Sequence, residues 1–274
     1  MRRTLNKLLP IRGSAALAAL LLALPPAAGA GAEPSARELM EQVTETRKLD
    51  GSEAVVSMTI ATAQGQTRER KLSMATKLAD GGKTEKRVYR FSAPADVAGT
   101  GVLVFDYEAQ ADDVWVYLPA LRKIRRIVSA QRSEGFMGSE FSYADLNVPA
   151  LDDYNYRRER EESVGGEACH VIDVLPKTPE IAKGEGYSRK TYWVSRERFV
   201  LHKAVYYDLE GRAMKELDNS DFKLLDAKRK RYRPMRMVMT NKQNGRVSTF
   251  ATEQIAFSPE VKDDYFTPRQ LERP

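Results

Sequence analysis

Residues 112–146 read DDVWVYLPALRKIRRIVSAQRSEGFMGSEFSYADL, and the fold is decided by how this stretch is read. It opens with two-residue alternation: Val114, Val116 and Leu118 point one way, Trp115 and Tyr117 the other. Such a pattern predicts a strand with two different faces. Pro119 ends the strand because it cannot donate to a ladder. A second β-branched run, 123–128, follows and carries a basic group, Arg122, Lys123, Arg125 and Arg126. In Gly135-Phe136-Met137-Gly138-Ser139-Glu140-Phe141, two glycines are expected to let the backbone bend around exposed apolar side chains.

Outward from this stretch, strand follows strand. Alternating or β-branched runs predict strands over 54–62, 67–78, 84–91, 101–107, 114–118 and 123–128. They resume over 154–162, 167–175, 188–194, 200–207, 213–217, 222–226, 235–240 and 247–257. Gln64-Gly65, Gly81-Gly82, Gly165-Gly166, Glu210-Gly211 and Asn244-Gly245 supply turn chemistry between them. The clearest helix is 35–48, with Ser35 as cap, Glu38 in the capping-box position and Leu39, Met40 and Val43 as an apolar stripe. Residues 138–150 read as a loop with room for a short helix. With no βαβ alternation and no internal repeat, the class is mainly β (α+β), a single large antiparallel sheet with few helices. A sheet of so many strands must curl, and one face must be covered.

The order WVYLPAL (115–121), KIRRI (123–127), FMGSEF (136–141) and YADL (143–146) resembles the outer-membrane lipoprotein-sorting family, the LolA-like proteins of Gram-negative bacteria. That resemblance implies a half-open β-barrel of LolA/LolB type over residues 33–274, with short helices lidding its concave face. It further implies a carrier that holds the acyl chains of a lipoprotein or another lipid. The positions that carry it are Trp115, Tyr117, Leu118, Arg125, Arg126, the turn 136–139 and Phe141. Longer relatives of this type resemble accessories of inner-membrane transporters of the resistance-nodulation-division (RND) class. An RND-type transporter or an outer-membrane acceptor is therefore the partner the resemblance implies.

The amino terminus points to the same compartment. Arg2, Arg3, Lys7 and Arg12 precede an apolar run at 15–24, and small residues at 28–32 offer two cleavage points. The run is too short to span a bilayer, and Pro25-Pro26 closes it. We therefore expect a cleavable signal at 1–32 and a periplasmic, monomeric product. No cysteine lies near the cleavage points, so a lipid anchor is not expected there. Without those four basic residues the formal charge falls from +6 to +2, which gives no general signal for nucleic-acid binding. Local clusters remain at 122–126 and 228–236. Cys169, alone in the chain, sits in an alternating run and reads as a small core residue.

Chemistry of the catalytic kind finds little support. His170 and His202 each lie inside a strand without metal-ligand spacing, GxSxG and HExxH are absent, and the acidic pairs fall at turns. The expectation is no enzyme, no metal and no cofactor. The binding candidates are apolar alternations: Met58 and Ile60, Leu72 and Met74, Leu103 and Phe105, Trp115 and Tyr117, and Met235, Met237 and Met239. Methionine and aromatic side chains make adaptable lining for an acyl chain, although the same pattern also describes ordinary core packing. Arg122, Lys123, Arg125, Arg126, Phe136, Met137 and Phe141 form a candidate rim for membrane or partner docking, with Arg125 or Arg126 alternatively buried against Glu140. A second class stays open, a periplasmic sensor or adaptor that uses this fold to bind a partner protein.

Overall fold

The first and last strands pair in the middle of the sheet, and that pairing sets the architecture. A computed structural model describes residues 33–147, 150–257 and 260–272; the expected signal at 1–32 lies outside the described residues. Helix α1 (Ala36–Arg47) leads into β1 (Gly51–Ala61), β2 (Thr67–Ala79), β3 (Thr84–Ala93), β4 (Gly101–Tyr107), β5 (Asp113–Leu118) and β6 (Lys123–Arg126). After a long connection come β7 (Tyr154–Val164), β8 (Glu167–Pro176), α2 (Pro179–Glu185), β9 (Arg189–Ser195) and β10 (Leu201–Tyr207). The sheet is completed by β11 (Ala213–Asp226), β12 (Arg231–Asn241) and β13 (Val247–Phe257). All thirteen strands belong to one antiparallel sheet in the order β6-β5-β4-β3-β2-β1-β13-β12-β11-β10-β9-β8-β7. The sheet is mainly hairpins, but β1 pairs with β13, from Ser52 opposite Phe257 to Ala61 opposite Val247. It curls without closing, in the half-open form expected.

Because β6 and β7 occupy opposite edges, the chain between them has to span the sheet, and it crosses the inner face. This strap holds most of the segment that opened the sequence reading. Phe136 is fully buried and meets Tyr89, Phe91, Tyr143 and Phe250 with ring centroids 5.6–6.1 Å apart. Phe141 lies 4.7 Å from Phe250 in an edge-on arrangement. The strap thereby fills the half of the trough floored by β1–β5, among Val56, Met58, Ile60, Leu72, Val102, Val104, Val114 and Val116. Helix α1 covers the other half, where Leu39 and Met40 pack with Ile172, Val174, Tyr192, Tyr206, Leu217 and Met239.

Local chemistry explains these elements. In α1, the Glu38 amide donates to Ser35 Oγ at 3.2 Å and the Ser35 amide to Glu38 Oε2 at 2.7 Å, so two orphan donors are met reciprocally. Gly135 has no room for a side chain, since a Cβ there would lie 2.7 Å from the Ser139 carbonyl oxygen. Three elements differ from the sequence reading. Residues 213–226 form one strand, not two, because pairing with β12 runs on past Asp221, whose φ is +56°. Strand β12 begins at Arg231, four residues before the expected start at Met235, because a basic run and Pro234 mask its signal. Helix α2, capped by Thr178 with Pro179 in its first turn, was too short to register as a period.

On the outer face, turns in 263–272 bring Val261, Phe266 and Leu271 against Ala75, Val88 and Leu103. Cys169 is fully buried with Val171 and Trp193 on the same side, as a small core residue should be.

Phe136→Ala should lower unfolding free energy by about 3–5 kcal/mol, the range for deleting a fully buried phenylalanine. Leu121→Ala, at a position 63% exposed, should stay within about 0.5 kcal/mol in the same urea titration.

Candidate functional site

Between α1, the strap and the curled sheet lies a cavity of about 260 Å³. Its apolar wall comes from Val56, Leu72, Met74, Tyr206, Met237 and Phe250, with Met40 and Val43 of α1 above and Phe141 and Leu146 of the strap at one side. Every second residue of a strand reaches this space, so the lining is set by register. Thr76 stands opposite Arg87, Met74 opposite Tyr89 and Leu72 opposite Phe91, giving a polar row followed by two apolar rows. A larger groove, about 700 Å³, lies on the outer face beside Tyr265, but its wall includes Glu53, Arg90, Gln254 and Gln270 and it opens to solvent.

The polar end of the cavity is charged. Arg87 is 4% exposed and donates from Nη2 to Asp106 Oδ2 at 2.6 Å and to Asn147 Oδ1 at 3.0 Å. Its other terminal nitrogen donates to the Leu146 carbonyl of the strap. Glu85, on the same strand, accepts from Arg233 of β12 at 3.1 Å, although three strands separate β3 from β12 in the sheet. The curl alone brings these walls together. Burial pushes the Glu85 carboxyl up, but Arg87, Arg233 and Arg47 outweigh it and hold it below its ordinary value. A second pair, Lys190 and Glu185 at 2.6 Å, lies under the strap near Tyr154. Burial opposes the charge of Glu185 too, and Lys190 overcomes it, again leaving the carboxyl depressed.

The strap is fastened at both ends of its crossing. Arg70 donates to the Met137 carbonyl, and Arg246 donates to that of Gly138 at 2.9 Å. Glu140 accepts from Asn241 at 2.8 Å and pairs with Arg246 at 3.0 Å. Asp145 accepts from the Tyr187 hydroxyl at 3.0 Å.

The expected lining is brought together only in part. Leu72, Met74 and Met237 border the cavity. Met58, Ile60 and Met239 face the same side but are consumed in core packing, Met58 and Ile60 under the strap and Met239 under α1. Leu103, Phe105, Trp115 and Tyr117 are corrected: they lie on the outer face with Val261, Phe266 and Leu271. Both faces of β4 and β5 are apolar, so alternation could not choose between them; the inward set is Val102, Val104, Val114 and Val116. Met235 is also corrected: it does not border the cavity, to which β12 contributes Tyr232, Arg233, Pro234 and Met237. In the expected rim, Arg122, Lys123, Arg125 and Arg126 are exposed. Phe136 and Phe141 are not rim residues but buried plugs, and Met137 packs beside them. Neither Arg125 nor Arg126 meets Glu140; Arg126 pairs with Asp113.

Arg47, Glu85, Arg87 and Arg233 were missed. On β3 the inward series Glu85, Arg87, Tyr89, Phe91 alternates with Lys86, Val88, Arg90, Ser92. Charge on both faces concealed which one pointed in. Among the described residues no group of three or more His, Cys, Asp or Glu is placed to hold a metal ion.

A family model described as "Uncharacterized protein" matches residues 83–273. The chain belongs to that family. No curated protein matches it. Among solved structures, a domain named for outer membrane lipoprotein sorting from Vibrio parahaemolyticus superposes with a TM-score of 0.79 at 28% identity, over 87% of this chain and 98% of that one. A DUF1329 family protein from Desulfovibrio piger gives the same TM-score, 0.79, and 28% identity, over 86% of this chain and 97% of that one. A LolA superfamily protein from Nitrosomonas europaea, at 20% identity and a TM-score of 0.64 over 86% and 98% of the two chains, shares the fold. The resemblance seen in residues 115–146 thus extends over the whole described sheet.

Glu85 and Glu185 titrate below their ordinary 4.5 when folded. Their stabilisation is therefore complete above that pH and lost as pH falls through the depressed folded values. Urea midpoints measured downward from pH 7 should decline below about pH 4.5. Glu85→Gln should lower the midpoint at pH 7, where it leaves Arg87 and Arg233 short of a counter-charge, and the difference should shrink as pH falls through the depressed folded value.

Proposed function

We propose that the chain is a periplasmic carrier that holds an acyl chain of a lipid or lipoprotein in the cavity between α1, the strap and the sheet. The observation that carries this reading is the cavity itself, an apolar space walled by methionine, leucine and aromatic side chains inside an otherwise well-packed trough. The name of the Vibrio parahaemolyticus domain, lipoprotein sorting, supports the same reading.

Magnitudes shape the proposal. An apolar cavity of about 150 Å³ admits one benzene, so 260 Å³ takes roughly ten carbon atoms of one chain. Burying roughly ten methylenes contributes about 8 kcal/mol relative to water. It contributes almost nothing relative to a bilayer, so unloading needs an acceptor that offers equal burial. A longer chain needs α1 or the strap to shift. The leader at 1–32 delivers the protein to the periplasm, where it works as a monomer without enzymatic activity. The exposed cations Arg122, Lys123, Arg125 and Arg126 on an edge strand suit an acidic docking surface, either anionic headgroups or the periplasmic face of an RND-type transporter.

A fluorescent fatty-acid probe should bind the protein from Glu33 onward and be displaced by unlabelled lipid. Met237→Gln should weaken binding several-fold while Trp115→Gln leaves it unchanged, with thermal melts reporting stability separately. Equal loss in both variants, or no displaceable binding, would favour the adaptor role. Arg125→Glu with Arg126→Glu should slow lipid transfer to anionic vesicles without moving the melting temperature. That effect should fade as added salt shortens screening below about 8 Å.

A further inference from the structure

The polar end of the cavity carries more positive than negative charge. Arg47, Arg87 and Arg233 all line it, and the carboxylates that meet them are Glu85 and Asp106. Three guanidiniums against two carboxylates leave one cation in excess. The neighbouring charges do not remove it: Arg132 pairs with Asp112 at 2.7 Å, Lys190 with Glu185 at 2.6 Å, and Lys215 faces Asp145 at 3.9 Å.

Two details locate the deficit. Arg47, half-buried in the last turn of α1, meets no carboxylate within ion-pair distance among the described residues. Arg87 Nε is buried without a hydrogen-bond partner, although every other group around it is matched to the strap or to Asp106. An orphaned donor on a buried cation costs folding energy and marks a place where an acceptor belongs. Burial and the two neighbouring arginines also weigh against the charge on Arg233, with Glu85 opposing them.

The arrangement continues along the strands. From the Thr76–Arg87 row the next inward rows are Met74–Tyr89 and Leu72–Phe91, spaced by about 6.7 Å for each two residues. Charge at one end and apolar rows beyond it match an amphiphile with an oxyanion head and one hydrocarbon tail. We propose that the cavity selects a single-chain anionic lipid, with its carboxylate or phosphate head at Arg47, Arg87 and Arg233 and its tail along Met74 and Leu72. This inference rests on the carrier reading and narrows its cargo. The shared chemistry is an oxyanion, from a lipid head or from a free anion.

Calorimetric titration of the protein from Glu33 onward with decanoic acid, decanol and inorganic phosphate at pH 8 separates these cases. The acid should bind roughly tenfold or more tightly than the alcohol, as a charge-assisted contact requires, and phosphate alone should bind far more weakly than the acid. Arg47→Gln, which breaks no ion pair, should bring the acid down to the affinity of the alcohol and leave the alcohol and the melting temperature unchanged. Arg47→Lys should restore most of the difference. Equal affinity of acid and alcohol in the unaltered protein overturns the anionic head while leaving the carrier reading intact. Phosphate binding as tightly as decanoic acid overturns it in favour of a free anion. Failure of both acid and alcohol to bind overturns the carrier reading, and this inference with it.

Discussion

A crossing forced by strand order governs this molecule. Since β1 and β13 pair at the centre, the sheet grows outward in both directions, and β6 and β7 end up at opposite edges. The connection between them has to join those edges, and in this structure it does so by traversing the trough. It crosses with Phe136 and Phe141 turned inward, so the backbone constraint becomes a packing solution: an apolar inner face receives its cover from the loop that has to pass over it. Helix α1 does the same for the other half, and Phe250 packs against both apolar clusters. The cavity is the space that the two covers leave between them.

Charge keeps that space from collapsing. A strap fastened only by apolar contacts would settle wherever it buried most surface. Here its carbonyls at Met137, Gly138 and Leu146 are held by Arg70, Arg246 and Arg87, which are rooted in β2, in the turn between β12 and β13, and in β3. Buried ion pairs add little net stability, but removing one partner leaves a charge that costs about 3–5 kcal/mol. Such networks therefore fix position more than they add strength. The Glu85–Arg233 contact joins strands that are not neighbours, so the same logic applies to the curl of the sheet.

Much of this was legible in the sequence, and the failures have physical causes. Glycine-marked turns and alternation located the strands, and the Ser35–Glu38 box located α1, because these signals are local. The segment 112–146 was the right place to look, and its apolar turn proved to be the plug itself. Face assignment failed at β4 and β5, where Leu103 and Val104 are both fully buried, on opposite sides of one sheet. Alternation reports that two faces differ, and where both are apolar it has nothing to report. Met235 shares the alternation of Met237 and Met239 yet stands outside the cavity lining, a difference that periodicity does not announce. The arginine cluster was invisible for a different reason: Arg47, Arg87 and Arg233 come from α1, β3 and β12, and only the curl of the sheet assembles them.

The central claim is that the guest occupies the inner trough and not the outer groove. It is tested most directly by photo-crosslinking a fatty acid that carries a diazirine near the end of its chain, followed by peptide mapping. The account predicts label on peptides containing Leu72, Met74, Met237 and Phe250. Label concentrated on peptides containing Trp115, Tyr265 and Leu271 would contradict it, because those side chains belong to the opposite face.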